Sequence, residues 1–346
     1  MKWLEQKVNE DNKNNDIYFD NHYTDVIDRI VYSSLIPKFK SWGEESVSTA
    51  LLGMMSNKLS GYLSQYSSDW NNDYSNDYFE HLDTMKTTSL IDYFQYVKSK
   101  PADEFQRWII SKLNVSEDYF NDLIGTKYMR TCNFEEAAKY LSKVTFTFID
   151  KQNISAYMTR DYTVERWMRH QKIDDSNPTN KKKMTSNPKL KFCYDMANME
   201  SQYAYLSNDQ ERQQKAYDLA VRYFQASYLG DCWYLTRYGQ SVMDSCRVNE
   251  IDFAKRAINY LDISKSSQDF SLKEKSLYAL AYIPFEPWGG YYDDYEKKYD
   301  TSHINTASQQ YHSLIELALF CKDNQNLDRY ITHCDVLNKF IKMAKK

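Results

Sequence analysis

Residues 116–144 read SEDYFNDLIGTKYMRTCNFEEAAKYLSKV, and this stretch decides the fold. Ser116 is placed to cap a helix that carries Tyr119, Phe120, Leu123, Ile124, Lys127 and Tyr128 at helical intervals. Asn133 is placed to cap a second helix, with Phe134, Ala137, Ala138, Leu141 and Val144 recurring on one face. The connection between them is too short for anything but an antiparallel helix pair. Gly125 and Ala137 supply small side chains where two helices must approach. A glycine inside a helix costs about 1 kcal/mol against alanine, so Gly125 asks for a packing reason.

The same residues resemble a tetratricopeptide repeat. Ile124, Gly125 and Tyr128 match its first helix, and Phe134, Ala137, Leu141 and Val144 its second. Asn121 stands where the repeat usually has a large residue near the start of the first helix, and Val144 where it has a small one. The hairpin is also similar to bacterial helical-repeat proteins that carry a comparable Gly125-Thr126-Lys127-Tyr128 string, a resemblance that implies no activity. What the resemblance implies is an all-α chain, an α-α superhelix of antiparallel hairpins whose concave face binds protein or peptide.

Composition agrees with helices. The 346 residues include only 8 Gly and 6 Pro, too few for the turns of a sheet-rich fold. Hydrophobic residues make up 42% and charged residues 27%, enough for a real core. The 31 tyrosines are the unusual feature; most are expected to pack half-buried, with the ring inside and the hydroxyl wet. A net charge of −4 offers no attraction to nucleic acid or an anionic membrane. No apolar run approaches the roughly 18 residues that span a bilayer, and the start Met1-Lys2-Trp3-Leu4-Glu5-Gln6-Lys7 lacks the apolar core of a signal peptide. The literal reading is cytoplasmic, with the cell envelope as the alternative if this is a piece of a longer precursor.

Outward from the hairpin, periodicity predicts helices over 20–40 (ended by Pro37), 44–66, 90–98 and 101–113, with Pro101 in a first turn. Residues 146–187 read as a loop-rich connection containing Asp174-Asp175-Ser176-Asn177-Pro178 and Lys181-Lys182-Lys183. The organisation is therefore a helical block over 1–145, the connection 146–187, and a block of decayed repeats over 188–346. In the last block, 190–206 pairs with 210–229 and 232–246 with 251–261. The segment 272–283 then leads into an aromatic loop, and 305–320 pairs with 327–343.

Candidate sites are few. Asp69, Asn71, Asp73, Ser75, Asp77 and Glu80 repeat the spacing of a calcium loop. Tyr74 replaces the glycine its turn requires and Asn76 the usual aliphatic residue, so a polar linker is the better reading. Cys321, His312, His333 and Cys334 make a poor metal set, because adjacent helix residues point about 100° apart. The six cysteines, none in a Cys-x-x-Cys pair, read as free thiols. Trp288, Tyr291 and Tyr292, beside Gly289 and Gly290, form a loop able to stack on a sugar ring or to fold back as a plug. No metalloprotease, phosphate-loop, dinucleotide or nucleophile-elbow motif is present, and the histidines are scattered, so no catalytic residue, metal or cofactor is assigned.

The function expected is a non-catalytic scaffold that holds a protein or peptide partner, with Asn121, Lys127 and Arg130 as polar first-helix positions facing it. A cell-envelope glycan- or nutrient-binding protein is the alternative, and an α-helical hydrolase a distant third.

Overall fold

The computed structural model describes residues 1–14, 22–55, 77–113, 116–167, 184–238, 250–289, 292–293, 298–299, 304–324 and 334–344. Among the described residues the chain is α-helical, apart from 3-10 and π turns and one antiparallel ladder of β1 (Tyr292–Asp293) with β2 (Lys298–Tyr299). Two compact units form. One comprises residues 1–127 and 140–153, the other 128–139 and 154–346. The hairpin at 116–144 therefore contributes residues to both, and the second unit begins within the stretch read as a connection.

The first unit holds α1 (Lys2–Asn14), α2 (His22–Ile30), α3 (Ile36–Ser41), α4 (Glu45–Met55), α5 (Asp77–Thr84), α6 (Thr87–Lys98) and α7 (Glu104–Ile110). It also takes most of α8 (Glu117–Arg130), the end of α9 (Phe134–Leu141), and α10 (Phe146–Lys151). Pro37 does not end the helix begun at α2. A π turn over Val31–Leu35, in which the Ile36 N–H reaches the Val31 carbonyl, widens the backbone and lets Pro37 open α3. Pro101 likewise lies outside a first turn: Asp103 caps α7, accepting from the Gln106 N–H at 2.7 Å. The helix expected over 44–66 is described only as far as Met55.

Tyrosine proves a core residue here. Tyr78 and Tyr93 are fully buried and their hydroxyls meet at 2.8 Å, so each phenol satisfies the other. Phe94 stacks on Phe120 at 4.7 Å, and Leu90, Leu123 and Ile124 on the same two helices are fully buried. Asp118 receives both the backbone N–H and the hydroxyl of Thr145, at 2.8 and 2.7 Å, and Thr145 in turn caps α10.

The second unit contains α11 (Pro188–Tyr205), α12 (Asp209–Ala226), α13 (Phe253–Ser264), α14 (Phe270–Tyr282), α15 (Gln309–Asp323) and α16 (Asp335–Ala344). The helix expected over 232–246 does not form over its described part, 232–238. Residues 232–238 form a tight turn with 3-10 geometry at Trp233–Leu235, and 239–249 lie outside the described residues. The Cys232 N–H bonds the Gln225 carbonyl at 2.9 Å and the Thr236 hydroxyl the Ala226 carbonyl at 2.9 Å. Together they cap the last turn of α12 and send the chain back. Gly230 is required there, because a Cβ would stand 2.2 Å from the Phe224 carbonyl oxygen.

Part of the expected loop is well built. The buried Gln225 amide donates to the carbonyls of Val164 and Arg166 at 3.0 and 2.7 Å. Arg160 and Arg166 both reach the buried carboxylate of Asp231, at 3.7 and 3.5 Å. Residues 160–166 are thereby clamped to the end of α12. Further along, Leu277, Ala281, Trp288, Leu314, Leu317, Leu337 and Phe340 close one continuous apolar cluster over α14, α15 and α16.

Candidate functional site

A solvent-open trough of about 1040 Å³ lies in the second unit. Its floor is α12, started by Asn208, whose side chain accepts from the Glu211 N–H at 3.1 Å. One face of this helix is apolar and buried: Ala216, Leu219, Ala220, Tyr223 and Phe224. The opposite face carries Gln210, Gln214 and Asp218 one turn apart, with Glu211 and Lys215 beside them, and this polar stripe is the floor. The C-terminal end of α11 makes one wall, through Gln202, Tyr205 and Leu206; the start of α14 makes the other, through Ser271, Leu272 and Lys275. Asp269 caps α14, accepting from the Leu272 N–H at 2.8 Å.

Within the trough, Lys275 pairs with Glu165 at 3.3 Å and Lys215 donates to the Gln202 amide oxygen at 3.0 Å. The Gln214 amide donates to Asp218 at 3.1 Å. Tyr205 is 86% exposed, while Tyr217 turns its ring inward against Trp167 at 5.9 Å. Carboxylates, amides, hydroxyls and ammoniums line this space beside the apolar side chains of Leu206 and Leu272. No group of His, Cys, Asp and Glu among the described residues is arranged to hold a metal ion.

Beneath the floor, a polar lock ties α11 and α12 to α13. Glu200 on α11 accepts hydrogen bonds from the Tyr223 hydroxyl, from Tyr260 at 3.1 Å and from the Arg256 guanidinium at 3.1 Å. Arg256 also lies over the Tyr223 ring at 5.1 Å, and the two tyrosine rings stack at 5.8 Å. Burial pushes the Tyr223 phenol far up, helped by Cys132 and Glu200, and burial followed by the charge of Glu200 pushes Tyr260 up to about 12. Cys132, 3.5 Å from the Tyr223 hydroxyl, ends α8 in the left-handed region at φ 58°, where glycine is the usual residue. The Asn133 N–H bonds back to the Tyr128 carbonyl at 3.0 Å to close that turn.

The residues read from sequence fall elsewhere. Asn121 and Arg130 are 5% and 3% exposed, inside their units rather than presented to a partner. Arg130 pairs with Glu250 at 3.3 Å and donates through Nε to the Thr236 carbonyl at 2.6 Å. Half-buried Lys127 donates to the Asp83 carbonyl at 2.6 Å. A polar residue off the apolar stripe of α8 was read as solvent-facing, but α8 is covered on that side as well, because other polar groups exist there to receive it. Trp288 is 6% exposed and packs edge-on to Phe340 at 5.5 Å, so it belongs to the core and not to a stacking loop. Tyr291 lies outside the described residues, and Tyr292 pairs by backbone with Tyr299. Of the calcium-like run only 77–80 is described, as the start of α5, and the remainder lies outside; so does His333. Cys334 is buried in the C-terminal core.

Two features escaped the sequence reading. The trough was legible only as the polar half of an amphipathic helix, a pattern that marks any surface helix. In the first unit, rings from separate helices line up as Trp42, Phe39, Phe105 and Trp108 at 5.5, 5.6 and 5.8 Å, with Trp42 61% exposed. No helix among the described residues is long and apolar enough to cross a membrane. Comparison of the chain with protein-family models, with curated proteins and with solved structures finds no match to any of them.

Proposed function

We propose that this chain is a non-catalytic binding protein, a tetratricopeptide-like superhelix of antiparallel hairpins, that holds an extended peptide segment of a partner protein in the trough over α12. The observation that carries the reading is the trough itself: about 1040 Å³, open to solvent, floored by polar side chains one helical turn apart. Drug-sized ligands favour enclosed pockets, whereas this one is wide and open to solvent, with polar and apolar surface mixed along its lining. The amides of Gln202, Gln210 and Gln214 each offer both donors and acceptors, which suits the repeating N–H and C=O groups of an extended backbone.

Selection of random linear peptides on the full chain tests this, with counter-selection on Gln214→Trp, an exposed position at the middle of the floor where a large ring obstructs the trough without touching the core. Peptides should be enriched on the natural chain and lost on the variant, whose circular dichroism stays unchanged. Failure to enrich any peptide, or equal retention by the obstructed trough, overturns the proposal.

A further inference from the structure

We infer that the segment bound in the trough is cationic, its lysine or arginine side chains seated against Glu211 and Asp218 and against the ring of Tyr205. The inference rests on the trough being the ligand site. Four carboxylates line it, Glu165, Glu211, Asp218 and Asp269, against two ammoniums, Lys215 and Lys275. Their pairing is uneven. Lys275 is taken by Glu165, and Lys215 by a neutral amide oxygen. Asp269 is occupied in capping α14. The Asp218 carboxylate receives the Gln214 amide while its main-chain carbonyl takes the Arg222 guanidinium at 2.9 Å, and Glu211 forms no ion pair among the described residues. The Glu211 and Asp218 carboxylates thus face the trough outside any ion pair among the described residues, one exposed and one half-buried.

The aromatic wall points the same way. On α11, Tyr203 already carries the Arg212 guanidinium over its ring at 4.9 Å. Tyr205, two residues on, is more exposed and no cation among the described residues lies over it, so its face is available for the same contact. Leu206 and Leu272 provide apolar surface for the aliphatic stem of a lysine or arginine whose head reaches a carboxylate. Glu211 and Asp218 are seven residues apart on one helix face, roughly 10 Å, between the spans of two and of four residues of extended chain, the separations at which side chains share a face. Two basic residues that far apart in a segment would meet both. An anionic segment would meet like charge at the same two places.

The test uses the full chain and dye-labelled octapeptides of alternating Ala-Lys, Ala-Gln and Ala-Glu, with fluorescence anisotropy at about 50 mM and about 200 mM salt. Ala-Lys should bind, more weakly at the higher salt, and Ala-Gln and Ala-Glu should not. Glu211→Gln/Asp218→Asn should weaken Ala-Lys about tenfold or more, and Tyr205→Ala should weaken it several-fold. Glu104→Gln/Glu117→Gln, which removes the same charge from exposed positions of the first unit, should leave it unchanged. Equal loss in both double variants, or no loss in the first, overturns the inference. Binding of Ala-Gln or Ala-Glu as tight as Ala-Lys, and abolished by Gln214→Trp, overturns the charge preference but keeps the trough as the site. Binding of Ala-Lys that Gln214→Trp leaves intact, or no binding at all, removes the trough and this inference with it.

Discussion

Gly53 on α4 lies directly against the ring of Tyr78 on α5: a β-carbon at Gly53 would stand 2.7 Å from Tyr78 Cζ and 2.8 Å from Leu113 Cδ2. Tyr78 is fully buried and its hydroxyl is held by Tyr93, so the ring has little room to retreat. Gly53→Ala gains about 1 kcal/mol of helix propensity. The overpacking it forces costs about 1–3 kcal/mol. The net result expected is a lowered urea midpoint. A raised midpoint would show that the tyrosine pair can shift.

Arg130 is a structural cation. Breaking a buried ion pair by truncating one partner costs about 3–5 kcal/mol. Arg130→Ala should fall at the lower end, because Glu250 keeps Arg237 at 2.8 Å. Glu250→Ala should fall at the upper end, because two guanidiniums then lose the carboxylate they share. Denaturant unfolding of both variants and of the pair gives the coupling. An Arg130→Ala protein as stable as the natural one would return this side chain to the surface.

Alkaline pH should unfold the second unit through Glu200 and its tyrosines. A phenol whose folded pKa lies above its unfolded value adds stability that is complete below the unfolded value and is lost as pH climbs toward the folded one. For Tyr260 that window runs from the ordinary 10.0 to about 12. Tyr223, pushed further up by burial, acts in the same direction. Thermal melts should fall steadily above about pH 10, and Tyr223→Phe should lessen the slope. Tyrosine absorbance should rise in two stages, exposed rings first and buried ones with unfolding. A single smooth titration at fixed stability would contradict this.

Acid should act on the first unit through His81. Its ring nitrogen Nε2 lies 3.1 Å from the Thr49 hydroxyl, and burial holds its pKa below the usual 6.5, against the opposing pull of Glu45. A histidine lowered in the folded state binds its proton more readily when unfolded, so stability falls as pH drops below about 6.5. His81→Asn should show a smaller drop in melting temperature between about pH 7.5 and about pH 5.5 than the natural chain. Equal drops in both would assign the acid sensitivity elsewhere.

Local chemistry was legible in the sequence wherever neighbouring residues decide the outcome. The scarcity of glycine and proline determined an all-α chain, and the periodicity of 116–144 placed both helices of that hairpin and the Asn133 cap, whose side chain accepts from the Glu136 N–H at 3.4 Å. The pairs at 190–206 with 210–229 likewise correspond to α11 and α12. What tertiary structure decided is which polar groups face water. Arg130 and Asn121 look like surface residues from spacing alone, yet Arg130 is buried because Glu250 and the Thr236 carbonyl, more than a hundred residues away, receive it. Trp288 beside two glycines reads as a display loop until α15 and α16 bring Leu314, Leu317 and Phe340 around it. The trough has the same origin. Gln210, Gln214 and Asp218 are an ordinary polar stripe in the sequence, and they become a floor only because α11 and α14 pack on either side. Helical period is a property of consecutive residues, whereas burial and pairing depend on contacts between segments far apart in the chain.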